Sequence, residues 1–214
     1  MRDLSMHVLD IVQNSIKAGA KLIAVSFVRS PESLLTFTVK DDGCGMSPEF
    51  LARVTDPFTT TRTTRRVGLG IPMLKQSAEA AGGSFSLESE VGKGTVISAS
   101  FDLRNIDCIP MGELCDSLYT LVLLNSDTPD FLFTAHASDA EAEFDTRAVR
   151  RALGGVRLNE PDVGAWIKES IDEEFKPILE VLPWKRSPCV RKAATKSALS
   201  SVWPPAVSRL APVP

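Results

Sequence analysis

The sequence predicts an α/β (α+β) fold in which one sheet is covered by helices, and three observations carry that expectation. Through the first hundred residues, runs of helical and strand periodicity follow one another in the order α, β, β, α, α, β, β. Glycine-rich turns punctuate the joins, as at Asp41 to Gly45 and Gly82-Gly83. The 214 residues are 43% apolar, which suits a buried core in one full domain plus a smaller appendage.

Each element has its own warrant. Leu4, Val8, Leu9, Ile11, Val12 and Ile16 recur at spacings of three and four, with His7, Asp10, Gln13, Asn14 and Lys17 off that stripe, predicting an amphipathic helix ended by Ala18-Gly19-Ala20. Lys21 to Val28 and Leu34 to Lys40 read as a hairpin around Ser30-Pro31-Glu32-Ser33. Ser47-Pro48-Glu49 predicts an N-cap with proline at the first helical position, opening a short helix through about Val54. Thr55 to Arg66 is a polar loop rich in Thr and Arg. From Gly70, the residues Ile71, Met73, Leu74, Ala78 and Ala81 predict a second long helix closed by Gly82-Gly83. Ser84 to Glu90 and Val96 to Leu103 then read as strands flanking Gly92-Lys93-Gly94.

Beyond Arg104 the character changes. Two short apolar runs, Leu118 to Leu124 and Phe131 to Ala135, precede helices near Arg147 to Leu153 and Val163 to Phe175, predicting a small α+β appendage over residues 105–176. Residues 177–214 hold seven of the fourteen prolines and no sustained periodicity, which predicts a disordered tail.

The formal charge is −3, but residues 181–214 carry six basic and no acidic side chains, leaving −9 on the rest. An acidic body speaks against a protein built to neutralise nucleic-acid phosphates. Cys44, Cys108, Cys115 and Cys189 show no Cys-x-x-Cys spacing, so the expectation is reduced thiols in the cytoplasm rather than zinc or disulfides. No apolar run reaches the roughly 20 residues needed to cross a bilayer, and no leader is predicted.

Four constellations can carry chemistry. Asp10, Asn14 and Lys17 fall at i, i+4 and i+7, one helix face that offers a carboxylate, a neutral oxygen ligand for Mg²⁺ and a cation for a terminal phosphate. Asp41-Asp42-Gly43-Cys44-Gly45 ends a strand; its glycines admit a planar ligand, and an ionised Asp accepts the amino proton of adenine while repelling a guanine carbonyl. Gly68-Leu69-Gly70 opens a helix behind Arg62, Arg65 and Arg66, an anion site. Gly92-Lys93-Gly94-Thr95 is the fourth. Taken singly, each has a plain alternative: a solvated helix face, an Asp-Gly turn, a helix entry, a hairpin turn.

In this order the four resemble the N-box and three glycine boxes of the gyrase, chaperone, histidine-kinase and mismatch-repair (GHKL) ATPase superfamily. Asp10 to Ala20 is similar to the mismatch-repair N-box, while Asp56-Pro57-Phe58-Thr59-Thr60 through Gly94-Thr95 resembles a histidine-kinase catalytic domain. The likeness covers roughly Met1 to Leu103. It implies a two-layer sandwich of the Bergerat type that binds ATP and Mg²⁺ over residues 1–104. Within it, Asp41, Gly43, Gly45 and Thr95 would stand at the adenine, Asn14 at the metal, and Lys17, Arg65, Arg66, Gly68, Leu69 and Gly70 at the phosphates. Thr59 to Arg66 would form a lid with Phe58 at its base.

One position departs from the pattern. Hydrolases and serine-phosphorylating anti-sigma factors of the superfamily carry Glu where this chain has Asp10, and classical histidine kinases usually carry Asn. Asp10 keeps the carboxylate of a catalytic base but reaches one methylene less far. The chain opens at the N-box helix, so autophosphorylation on a resident histidine is not expected, and His7 and His136 read as structural or surface residues. Two functions follow from the resemblance: a kinase acting on a partner protein, or an ATP-gated binding module or slow ATPase. A further similarity, to small ATP-binding proteins of anaerobic bacteria encoded beside iron–sulfur enzymes, implies a redox enzyme or a signalling protein as the partner; the acidic body and the lack of a long apolar run predict no nucleic acid and no membrane.

Overall fold

A computed structural model describes residues 3–54 and 69–179. Helix α1 (Leu4–Lys17) starts where Asp3 accepts the Met6 N–H and buries Leu4, Val8, Ile11 and Val12. The hairpin β1 (Leu22–Arg29) and β2 (Leu34–Asp41) follows, each strand alternating buried and half-buried residues. The Ser47 hydroxyl then accepts the Phe50 N–H at the start of α2 (Pro48–Val54). Helix α3 (Gly70–Ala80) leads to β3 (Phe85–Glu90) and β4 (Gly94–Asp102).

Residues 105–176, expected as an appendage, contribute to the same sheet. The apolar run at Leu118 to Leu124 lies in helix α4 (Leu114–Leu124); β5 (Asp130–Ala137), β6 (Ala140–Asp145), α5 (Thr146–Leu153) and α6 (Pro161–Leu179) follow. The strand order is β3-β4-β2-β1-β5-β6, with β5 parallel to β1 and the other pairs antiparallel. The register sets Phe131, Phe133 and Ala135 opposite Ile23, Val25 and Phe27, so six apolar side chains share one buried face. The first N–H groups of α1 are also satisfied from this half, Leu4 by the Pro110 carbonyl and Ser5 by that of Met111. Helix α6 continues through Pro177 to Leu179, into the stretch read as tail; the remaining tail residues lie outside the described ones.

Helices α3, α1, α4 and α6 pack side by side in one layer on the sheet. A single core runs through both halves, from Phe27, Phe37 and Phe101 to Phe131, Phe133 and Phe175, each ring almost wholly excluded from water. Each such side chain contributes roughly 1.5–3 kcal/mol of transfer free energy. Helix α5 is anchored to β5 by buried Thr146, whose hydroxyl accepts the Phe131 N–H and donates to Asp130.

Candidate functional site

The C-terminal end of β2 and the adjoining turn of α1 meet at Asp41. The Ser15 hydroxyl donates to Asp41 Oδ2 at 2.6 Å and the Gly43 N–H donates to Oδ1 at 2.9 Å, while the side chain is only 7% exposed. A buried carboxylate is costly without such donors, and two still leave each oxygen a lone pair. The adjacent Asp42 does something else. Its exposed carboxylate accepts the N–H groups of Leu22 and Lys21 at 2.9 and 2.7 Å, which holds it below the usual carboxylate range and pins the start of β1.

Glycines let the neighbouring segments close in around Asp41. A Cβ on Gly43 would stand 2.9 Å from the Ala18 methyl. Gly45 has φ +67° and lies so near the Glu90 carbonyl that a Cβ would approach its oxygen to 2.0 Å; Gly94, at φ +104°, stands equally close to the Asp41 carbonyl. Loop and hairpin are stitched together where Gly92 N–H donates to the Cys44 carbonyl and Cys44 N–H to that of Ala18. Thr95, 6% exposed, lies directly opposite Asp41 in the β2–β4 register.

The second cluster lies farther up α1. Asp10 is half-buried, and its Oδ2 is enclosed without a hydrogen-bond partner against Gly70, where a Cβ would fall 1.5 Å away. Gly70 is the first residue of α3 and Leu69, 54% exposed, its N-cap. One turn earlier His7 is fully buried; its Nε2 is 3.3 Å from Ser77 Oγ on α3, and burial pulls its pKa down to about 4. Asp10 and Ser15 are five residues apart, so α1 separates the two clusters by about 7.5 Å along its axis.

Among the residues expected at the site, Asp41, Gly43, Gly45 and Thr95 come together, and Asp10 meets Gly70. Asn14 is half-buried on α1 between the two clusters. Lys17 is exposed in the last turn, where a cation also complements the helix dipole. Phe58, Arg65, Arg66, Gly68 and the expected lid at Thr59 to Arg66 lie outside the described residues. Sequence reasoning missed Ser15 and Ser89. Ser15 occupies a position of the apolar stripe, four after Ile11, and Ser89 continues the alternation of Phe85 and Leu87; a hydroxyl where periodicity calls for an apolar side chain marks both.

Residues 2–105, just under half of the chain, match the histidine kinase-, DNA gyrase B- and HSP90-like ATPase family, and this segment belongs to it. Its sheet packed on helices is the Bergerat ATP-binding fold of that superfamily. Sporulation kinase C of Bacillus subtilis (strain 168) is 31% identical over 99 residues, which cover 45% of this chain and 23% of that protein. Histidine protein kinase DivJ of Caulobacter vibrioides is 31% identical over 104 residues (45% and 17%), and sensor histidine kinase WalK of B. subtilis 34% over 106 (45% and 17%). The chain thus spans about a fifth of the length of these relatives. Similar solved structures include full-length ShkA in complex with AMPPNP, with TM-score 0.38, 24% identity, and coverage of 45% of this chain and 20% of that one. The N-terminal domain of a DNA repair protein has TM-score 0.44 and 16% identity, covering 68% and 52%. No helix among the described residues is long and apolar enough to cross a membrane.

Proposed function

We propose that this chain binds Mg-ATP between α1, the 41–45 loop and the start of α3, and transfers its γ-phosphoryl group to a partner protein. The observation that carries the reading is the Asp41 carboxylate, buried, held from two sides and flanked by glycines whose backbones leave no space for side chains. Such a group accepts hydrogen bonds only, which matches the amino edge of adenine. Gly43 and Gly45 let Ala18 and the Glu90 carbonyl close up against the loop, which fixes where the Asp41 carboxylate stands.

The phosphates would extend toward the N-terminal end of α3, whose free N–H groups favour anions. Asn14 offers a neutral amide oxygen to Mg²⁺, which when bound would neutralise charge on the phosphates. Lys17, and Arg65 and Arg66 from the 55–68 segment, supply cations. In the transfer, a hydroxyl or imidazole of the partner attacks the γ-phosphorus, the bond to the β–γ bridging oxygen breaks, and ADP leaves with the electron pair. Asp10 takes the proton of the attacking group. The partner is a signalling or redox protein, and the reaction takes place in the cytoplasm.

One observation favours a second reading, an ATP-gated binding module with little turnover: Asp10 Oδ2 is closed off against Gly70. One experiment separates the two. The protein is incubated with ATP labelled in the γ-phosphoryl group and native extract, beside Asp10→Ala. Labelling of a partner that depends on Asp10 supports transfer; absent or Asp10-independent labelling overturns it and leaves the gated module.

A further inference from the structure

Ser89 sits half-buried on β3, directly opposite Thr95 of β4. Three groups stand 2.9 Å from its hydroxyl oxygen: the Met46 N–H, the Gly94 carbonyl and the Thr95 hydroxyl. They belong to the loop after Gly45, the first residue of β4 and the β4 residue paired with Asp41.

The protons of this cluster can be assigned by elimination. The Met46 amide can only donate and the Gly94 carbonyl can only accept. The single Ser89 proton therefore goes to the Gly94 carbonyl, and the Thr95 hydroxyl must donate to Ser89 for their bond to exist. Ser89 is then saturated, with two bonds accepted and one donated. Thr95 has spent its proton and keeps only lone pairs. The Ser15 proton is likewise committed to Asp41, at 2.6 Å.

We infer that Ser89 is a positioning residue for base selection: by taking the Thr95 proton it makes Thr95, beside Asp41, a second group that only accepts hydrogen bonds. A 6-amino purine, which brings two protons, suits such a pair. A 6-oxo purine brings a carbonyl and meets lone pairs on both sides. The same hydroxyl ties the loop at Met46 to the hairpin, so it also holds Asp41 and Thr95 in register. The inference rests on the nucleotide reading above, and the test keeps the two apart.

The test compares ATP with inosine triphosphate, which carries a 6-oxo group, by titration calorimetry on the full chain and on Ser89→Ala and Ser89→Thr. Thermal denaturation confirms that each variant is folded. Wild type should prefer ATP. In Ser89→Ala the loop loses one tie, which weakens both nucleotides alike, and the freed Thr95 proton can turn to the 6-oxo group. The ATP preference should then fall by about tenfold, the size of one mismatched hydrogen bond. Ser89→Thr keeps a hydroxyl and should restore the preference. If Ser89→Ala weakens both nucleotides in equal ratio, Ser89 is only a brace and the inference is overturned. If wild type binds neither nucleotide, the nucleotide reading itself fails.

Discussion

The Asp10 carboxylate rests on the bare Cα of Gly70, so closely that a methyl there would lie 1.5 Å from Oδ2. Sixty residues separate the two in sequence. The contact gives Gly70 a reason beyond turn geometry, because any side chain on the first residue of α3 would have to displace the Asp10 carboxylate. The Gly70→Ala chain should be destabilised by roughly 1–3 kcal/mol. Asp10→Ala should relieve part of that loss in the double variant. Urea denaturation of the four chains of the cycle measures the coupling; additive effects would show that the two residues do not touch in solution.

Asp41 and Ser15 act as a unit at the other end of the site. Asp41→Asn places a donor where a proton-free group is needed and should weaken ATP binding by about 10–100-fold. Ser15→Ala strips Oδ2 of its donor and should weaken binding by a smaller factor, about 5–10-fold. Calorimetric titration with ATP checks both, and an unchanged affinity in Asp41→Asn would contradict the proposed site.

His7 predicts acid lability. Its folded pKa is about 4 against an ordinary 6.5, because burial between α1 and α3 disfavours the imidazolium. Between these values the unfolded chain binds a proton that the folded chain refuses, so stability falls as pH drops from 6.5 to 4, by on the order of 3 kcal/mol. Denaturation midpoints across that window should shift steadily for the native sequence and less for His7→Leu. Equal slopes would assign the lability to other groups.

The two halves of the chain should not separate cleanly. Ending the chain at residue 105 removes β5 from the edge of β1 and takes away the carbonyls of Pro110 and Met111 that satisfy the start of α1. It also uncovers Ile23, Val25 and Phe27 on one side. The shortened protein should melt lower than the full chain and scatter light through association at the open β1 edge. A fragment that melts as high as the full chain would make residues 105–176 an independent unit.

Much of the fold was legible because it is locally periodic. Helix α1, the β1–β2 hairpin, α2, α3 and the β3–β4 hairpin all lie within a residue or two of their expected spans, each bounded by a cap or glycine whose chemistry is local. Leu118 to Leu124, a short run apolar but for Thr120, suits a helix as well as a strand by periodicity; it lies in α4. Strand β6 is not legible in the sequence because only Ala142 and Phe144 face the core, beside exposed Glu141 and Glu143. At the site, Asp41, Gly43, Gly45 and Gly70 stood out as motif residues. Ser15 and Ser89 carry a weaker signal, a hydroxyl where the periodicity calls for an apolar side chain.

By itself the sequence determined the element order as far as β4, the turns and the motif spacing that marks the ATPase family, since helix period, strand alternation and glycine conformations are properties of short segments. Only the tertiary structure decided which of the twin aspartates is buried, that Ser15 and Ser89 hold the groups around it, and that β5 pairs in parallel with β1. Those outcomes depend on side chains brought together across tens of residues. No local preference encodes such meetings; the packing of one sheet against one layer of helices does.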